Sequence, residues 1–145
     1  MAAGDRTDPY RTYNFLVEID GITRAGFRDC AGLESSSPAI DYREGSDKQL
    51  TTRKLPGLVS FPNITLSRGI TDDAELWQWR AAAAAGTVSR RNGSIVLLDD
   101  AGEEKLRWNF REGWPTSWSG PSFDATGSDV AIESLEIAHE GLTRG

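Results

Sequence analysis

The residues best equipped for acid–base or nucleophilic chemistry are the single histidine, His139, and the single cysteine, Cys30. Neither sits in a catalytic motif. His139 falls in a strand-like run on the side of Leu135 and Ile137, and no second histidine is available for a zinc site. One cysteine allows neither an intramolecular disulfide nor a cysteine metal cage. Cys30 reads as a small apolar group in a strand, with Arg28 as the one nearby cation able to activate a thiol. There is no Gly-x-Ser-x-Gly elbow, no P-loop and no dinucleotide fingerprint. Asp99-Asp100 lacks the alternating acids and closing glutamate of a calcium loop and reads as a turn. No catalytic residue, metal site or cofactor is expected.

The 5 tryptophans offer a different chemistry, since flat aromatic rings on a β-sandwich can stack on sugars. Trp114 and Trp118 lie in a Trp-rich stretch read as an irregular connection. Trp77 and Trp79 lie in a helical pattern, and Trp108 alternates with core residues. Core and interface roles account for most of them. A monomeric glycan-binding sandwich is the competing reading from another class; it would shift its tryptophan fluorescence with soluble glycans.

The positioning elements are mostly strands. Tyr13, Phe15, Val17 and Ile19 alternate with polar neighbours, Asp20-Gly21 makes a tight turn, and Ile22 to Cys30 returns as a second strand. Ala39–Tyr42 is a short third strand after a Ser-Pro breaker. The following segment, Arg43–Lys54, is too polar to order itself by burial. It is either a solvated loop or an arm that orders against a neighbour, ended by a Leu55-Pro56-Gly57-Leu58 turn. Pro62 marks a bulge or edge before Ile64 and Leu66. The clearest element is a helix over Asp72–Ala85. Asp72 is its expected cap, Glu75 completes a capping box, Leu76, Trp79 and Ala83 form its buried stripe, and Gly86 stops it. Trp77 falls off that stripe. Asn92-Gly93 reads as a hairpin turn and Ile95–Leu98 as a strand covered on both sides. Leu106, Trp108 and Phe110 line one face of another strand. In the last strand, Val130–Glu140, an apolar phase change suggests a bulge near Ser134.

A chain of 145 residues with net charge −6 and pI about 4.8 is one domain, residues 1–145, able to bury its own core. Residues 1–9 read as a loose N-terminus. The acidity argues against specific nucleic-acid binding, which needs cations to neutralise phosphates. No run reaches membrane-spanning length, so no membrane insertion is expected. The start MAAGDRTDPYRTY lacks the apolar stretch of a secretory leader, so synthesis is expected in the cytoplasm. A helix segregated from many strands implies an α+β, mainly β fold: two packed antiparallel sheets with one flanking helix at about 72–85.

Three blocks, in this order, carry a resemblance. They are DPYRTYNFLVEIDGITRAGFRDCAGLE at Asp8–Glu34, KLPGLVSFPNITLSRGITDDAELWQW at Lys54–Trp79, and IESLEIAHEGL at Ile132–Leu142. Together they span nearly the whole chain, which resembles the tail-tube subunits of contractile phages and of extracellular contractile injection systems. The type VI secretion tube subunit is similar in fold. The resemblance implies a barrel-like sandwich whose copies form six-membered rings, stacked into a hollow tube that sheath contraction drives through a target envelope. It implies sheath, baseplate and tube-terminator partners, with effector protein or DNA as cargo in the lumen. It places the particle outside the cell, or in a virion, after release. A long loop at 43–57 would carry contacts between rings, through Arg43, Glu44, Asp47, Lys48, Arg53, Lys54, Leu55 and Leu58. Asp72, Glu75, Leu76, Trp79 and Ala83 would make the helix a clamp between the sheets and the subunit boundary. A baseplate tube-initiator of the same fold is the alternative within the family.

Overall fold

The computed structural model describes residues 8–145. The alternation of Phe15, Val17 and Ile19 becomes β1 (Phe15–Ile19), turned at Gly21 (φ 76°) into β2 (Ile22–Ala25). The return strand expected to run on to Cys30 breaks here. A separate β3 (Asp29–Ala31) pairs with β6 (Ile64–Gly69) and not with β1. Between β3 and β6 stand β4 (Ala39–Tyr42) and β5 (Arg53–Pro56), which pair only with each other. Helix α1 (Glu75–Ala84) follows, then β7 (Arg91–Leu98), β8 (Glu104–Ser119), β9 (Ile132–Ala138) and β10 (Gly141–Arg144).

Eight strands form one antiparallel sheet in the order β2-β1-β7-β8-β9-β6-β3, with β10 also on β8. The 16-residue β8 folds this sheet into two leaves. Its first part pairs with β7 and β10, and its last part, from Trp114 on, pairs with β9. The bend lies at Glu112, a non-glycine residue at φ 55° whose N–H donates to Asn92 Oδ1 at 3.1 Å. The neighbouring strand bends at the same level: β9 and β10 are one kinked strand broken at His139–Glu140, where Glu140 N–H donates to Arg111 O. His139 is thus a corner residue outside the strand. Its ring nitrogens face the carbonyls of Gly141 (3.1 Å) and Pro62 (3.2 Å).

Val17, Ile19, Ile95 and Phe110 from one leaf meet Ile64, Leu66, Leu135 and Ile137 from the other, and Leu76 and Trp79 of α1 complete the core. The protein is mainly β, a two-leaved antiparallel sandwich with one flanking helix. It is not a closed barrel, because the described sheet ends at β2 and β3.

Several local expectations change for physical reasons. Asn92-Gly93 is inside β7, not a turn. Gly93 is needed there because a Cβ would sit 2.4 Å from the Phe110 ring and 2.7 Å from Glu18 O. The Trp-rich connection is the second half of β8. Pro62 lies outside any strand, just before β6. No bulge occurs at Ser134: β9 keeps one phase, burying Glu133, Leu135 and Ile137 in turn, with an acid at an inward position. That acid meets Arg68, directly opposite in β6 and equally inward. The pair is closed by Arg68 Nε–Glu133 Oε1 at 2.5 Å, with side chains only 5 % and 3 % exposed.

The same arginine reaches the start of the helix, which begins at Glu75 and not at Asp72. Arg68 Nη1 lies 3.6 Å from Asp73 Oδ2, and Asp73 Oδ1 accepts the N–H of Glu75 at 2.9 Å. Asp73 therefore supplies the capping carboxylate, while Asp72 is exposed and the expected Asp72–Glu75 box does not form. The C-terminus ends as expected at Gly86 (φ 100°). Thr87 N–H donates to Ala82 O and Gly86 N–H to Ala83 O, the paired bonds of a Schellman stop.

Candidate assembly interface

All four residues of β4 and all four of β5 are exposed. The two sides of the hairpin they form are held to each other at its root. There Gly57 N–H donates to Pro38 O at 2.8 Å, Ser36 and Ser60 exchange backbone bonds, and their hydroxyls lie 3.1 Å apart. Gly57 is held against Pro38 so closely that a Cβ would approach Pro38 Cγ to 2.6 Å. A two-stranded hairpin without a packed face is marginal in water, so the bonds at its two ends matter for its order.

Its tip is stapled by the charged residues that the sequence pointed to. Arg43 donates from Nε to Gln49 O (3.1 Å) and from Nη2 to Asp47 O (3.0 Å). Asp47 accepts from Glu44 N–H (3.0 Å) and from Arg53 Nη2 (2.8 Å). Glu44 accepts from Tyr42 OH at 3.0 Å, and Lys54 pairs with Asp41 across the strands. Lys48 makes no ion pair among the described residues. The charges expected to reach a neighbour thus hold the arm's own shape in large part.

The two faces of the hairpin differ. Ile40 stands opposite Leu55, and Tyr42 opposite Arg53, whose guanidinium lies 6.0 Å from the Tyr42 ring centre. This face is apolar with one cation at its end, and the other carries Asp41–Lys54 and Ala39–Pro56. Leu58 beyond it is 88 % exposed. Ile40 and Tyr42 share the face of Leu55, although the sequence singled out only Leu55 and Leu58. The missing signal was β5 itself, whose residues RKLP carry no strand pattern.

The helix residues divide. Leu76 and Trp79 are buried, Ala83 and Glu75 are half-buried, and Asp72 is exposed. Trp79 Nε1 donates to Ser89 O at 2.9 Å, and the Arg91 guanidinium lies 5.2 Å from its ring centre. Arg80 Nη1 donates to Pro115 O at 3.1 Å, so α1 is tied to the second half of β8. Trp77 stays 49 % exposed and packs edge-on against Trp118, with ring centres 4.9 Å apart.

Among the described residues, no group of His, Cys, Asp and Glu is placed to hold a metal ion. Burial pushes the Cys30 thiol up to about 11, the opposite of an activated nucleophile. Arg107 is held further above its usual range by Glu104 and Glu18, which stabilises charge on the polar face of β8. Among the described residues, no helix is long and apolar enough to cross a membrane.

A sandwich that leaves strand margins open and projects an ordered hairpin has the architecture of an assembling subunit. Residues 11–143 match the family of T4-like virus tail tube protein gp19, and the chain belongs to that family. It is similar to the chain in a structure of an extracellular contractile injection system, the PVC sheath–tube complex in its extended state, at 32 % identity. That match has a TM-score of 0.84 and covers 94 % of this chain and 91 % of the other. It is also similar to a chain of the anti-feeding prophage tube-terminating cap, at 31 % identity and TM-score 0.86, covering 97 % and 93 %. At 16 % identity and TM-score 0.55, covering 90 % and 94 %, Hcp1 from Flavobacterium johnsoniae shares the fold. No curated protein sequence matches the chain. The protein is a structural tube subunit of the contractile-injection type, a component of a virion or extracellular particle.

Proposed function

We propose that six copies form a ring and that the rings stack into the hollow inner tube of a contractile apparatus. The tube is driven through a target envelope by sheath contraction and conducts effector protein or DNA. The sheath, the baseplate and a tube terminator are its partners, and assembly takes place in the cytoplasm before release. The observation that carries this reading is the β4–β5 hairpin, ordered by its own tip and root yet covered by none of the described residues of its own chain. Sheet margins at β2, β3 and β10 that no described strand covers supply the second requirement, because unpaired strand edges close by pairing with another copy. Closure round the ring and openness along the axis together give a tube.

In this arrangement Arg43, Glu44, Asp47 and Arg53 set the shape of the arm, while Lys48, Lys54, Leu55 and Leu58 meet the adjacent ring. Asp72, Glu75, Leu76, Trp79 and Ala83 place α1 between the leaves and a subunit boundary. Electron microscopy of the purified protein, alone and with its sheath and baseplate, tests the reading. Hollow filaments or six-fold rings are expected. Replacing 43–54 by a short turn should leave folded monomers or single rings, and long tubes from that variant would refute the role given to the arm.

A further inference from the structure

Residues 120–131, GPSFDATGSDVA, join β8 to β9 and carry two aspartates and no cation. Their turn holds its own shape. Asp124 Oδ1 accepts from Thr126 N–H (3.0 Å) and from Thr126 Oγ1 (2.9 Å), and Gly127 N–H donates to Asp124 O at 3.0 Å. These bonds hold the Asp124 carboxyl below the usual carboxylate range, so it stays charged. Just before it stands Phe123, 89 % exposed, the most exposed large apolar side chain among the described residues. One such side chain on a surface needs no explanation by itself. Here the molecule also carries a site that fits it in shape, charge and position.

A groove of about 480 Å³ opens between the leaves at the edge strand β3, floored by Phe15, Cys30, Leu33, Leu97 and Trp108. A cavity of about 150 Å³ already holds benzene, so this groove has room for a phenylalanine side chain. Arg11 and Arg28 line it against one acid, Asp29. Arg28 is shared with Asp29 at 3.7 Å, and Arg11 pairs with no carboxylate among the described residues, so the balance is cationic. Tyr13, on the same wall, is fixed through its hydroxyl to Asp100. None of the lining residues comes from 120–131, so the chain's own loop does not fill the groove. The strand order gives the reason. In the leaf β8-β9-β6-β3 the loop is rooted on β8 and β9 and the groove is walled by β3, with β8 and β3 about 14 Å apart at ordinary strand spacing.

We propose, resting on the tube reading above, that Phe123 of one copy seats in this groove of its neighbour in the same ring, with the acidic turn set against Arg11. The side chain and its socket lie on opposite flanks of the leaf, so the contact is head-to-tail and closes when the rotation between copies does. The β3 wall of the groove is also a sheet margin that no described strand covers, so one neighbour covers both.

Thiol cross-linking in assembled particles tests this. Ser122 and Tyr10 flank the two partners and are exposed, so cysteines there leave Phe123 and the groove floor in place. The variant combining Ser122→Cys, Tyr10→Cys and Cys30→Ser should give, with a short bis-maleimide, a ladder of multimers that stops at the hexamer. Neither new cysteine alone nor unassembled protein should give it. A ladder running past six would place the contact between rings. No ladder, a link within one chain, a link from position 122 to the sheath, or a ladder seen only after removal of residues 1–7 would give the groove or the loop another partner. Each of these overturns the site and leaves the tube reading intact. Failure of the unmodified chain to form rings or tubes with its sheath and baseplate would overturn both. A second variant, Phe123→Ser, should fold normally by circular dichroism and raise the protein concentration needed for rings at least tenfold. Phe123→Leu, still apolar, should recover most of that loss. Unchanged assembly by Phe123→Ser would also overturn the site.

Discussion

Two antiparallel ladders in this chain each set a cation opposite a carboxylate: Arg68 faces Glu133 in the sheet, and Lys54 faces Asp41 in the hairpin. The chemistry is the same and the surroundings are opposite. The sheet pair is 5 % and 3 % exposed, the hairpin pair 65 % and 60 %. A buried pair is costly to break because the survivor is left charged in a poor solvent, whereas an exposed pair contributes little. The sheet is therefore committed to one arrangement by its interior. The hairpin is shaped by several weak contacts and can be completed by a partner.

The sharpest way to break this contrast is Glu133→Ala. Arg68 would lose its closest carboxylate and keep Asp73 and the Phe27 ring, and the loss should be about 3–5 kcal/mol, read by urea unfolding. Replacing both members together, Arg68→Met with Glu133→Leu, should recover most of it. A double variant as damaged as the single would mean that the pair does more than satisfy itself. Next in size is Gly32→Ala. Gly32 lies at φ 101°, and a Cβ would sit 2.1 Å from Asn63 O, a backbone atom that cannot swing aside. The expected loss is about 3 kcal/mol, and it falls on the junction where the sheet hands over to the hairpin root.

Cys30 gives a pH-dependent measure of the sheet side alone. Its thiol is raised by burial from an ordinary value of 9.0 to about 11. The folded state thus holds the proton where the unfolded chain releases it. This contribution is intact below about pH 9 and is lost as pH rises from there through about 11. Two units correspond to about 2–3 kcal/mol at most. Other groups titrate in the same range, so the readout is the difference between the native chain and Cys30→Ala. The native chain should lose stability more steeply between pH 9 and 11. Parallel curves would show that Cys30 meets solvent freely.

These contrasts mark how far the sequence could be read. The strands β1 and β7, the Asp20-Gly21 turn, the buried stripe of Leu76 and Trp79 and the Gly86 stop were legible, because period and turn chemistry are local. The buried pair was not. A charge in a strand reads as a solvent-facing position, so the acid at 133 looked like part of a phase break. Only the opposing strand supplies the partner that lets each turn inward. Gly93 was misread for the same reason: Asn-Gly signals a turn unless an aromatic ring from β8 needs the space. The arm was located by its polarity, but its hairpin form depends on β5, four residues with no strand pattern that pair because the tip network holds them opposite β4.

The smallest effect on unfolding, and the one that tests the hairpin side, is Asp47→Ala. Asp47 joins Glu44 N–H to Arg53 Nη2, and its removal frees both sides of the tip. These contacts are largely exposed and the hairpin buries none of its strand residues, so global stability should change by less than about 1 kcal/mol. The damage should appear locally. Amide exchange in β4 and β5 should quicken while exchange in β6 and β9 stays unchanged, because the hairpin opens without the sheet. Tube assembly should then need more protein, since each arm must be ordered as it docks. If Asp47→Ala instead lowered global stability as much as Glu133→Ala, the hairpin and sheet would unfold as one unit. The arm's order would then come from the sandwich and not from its own tip.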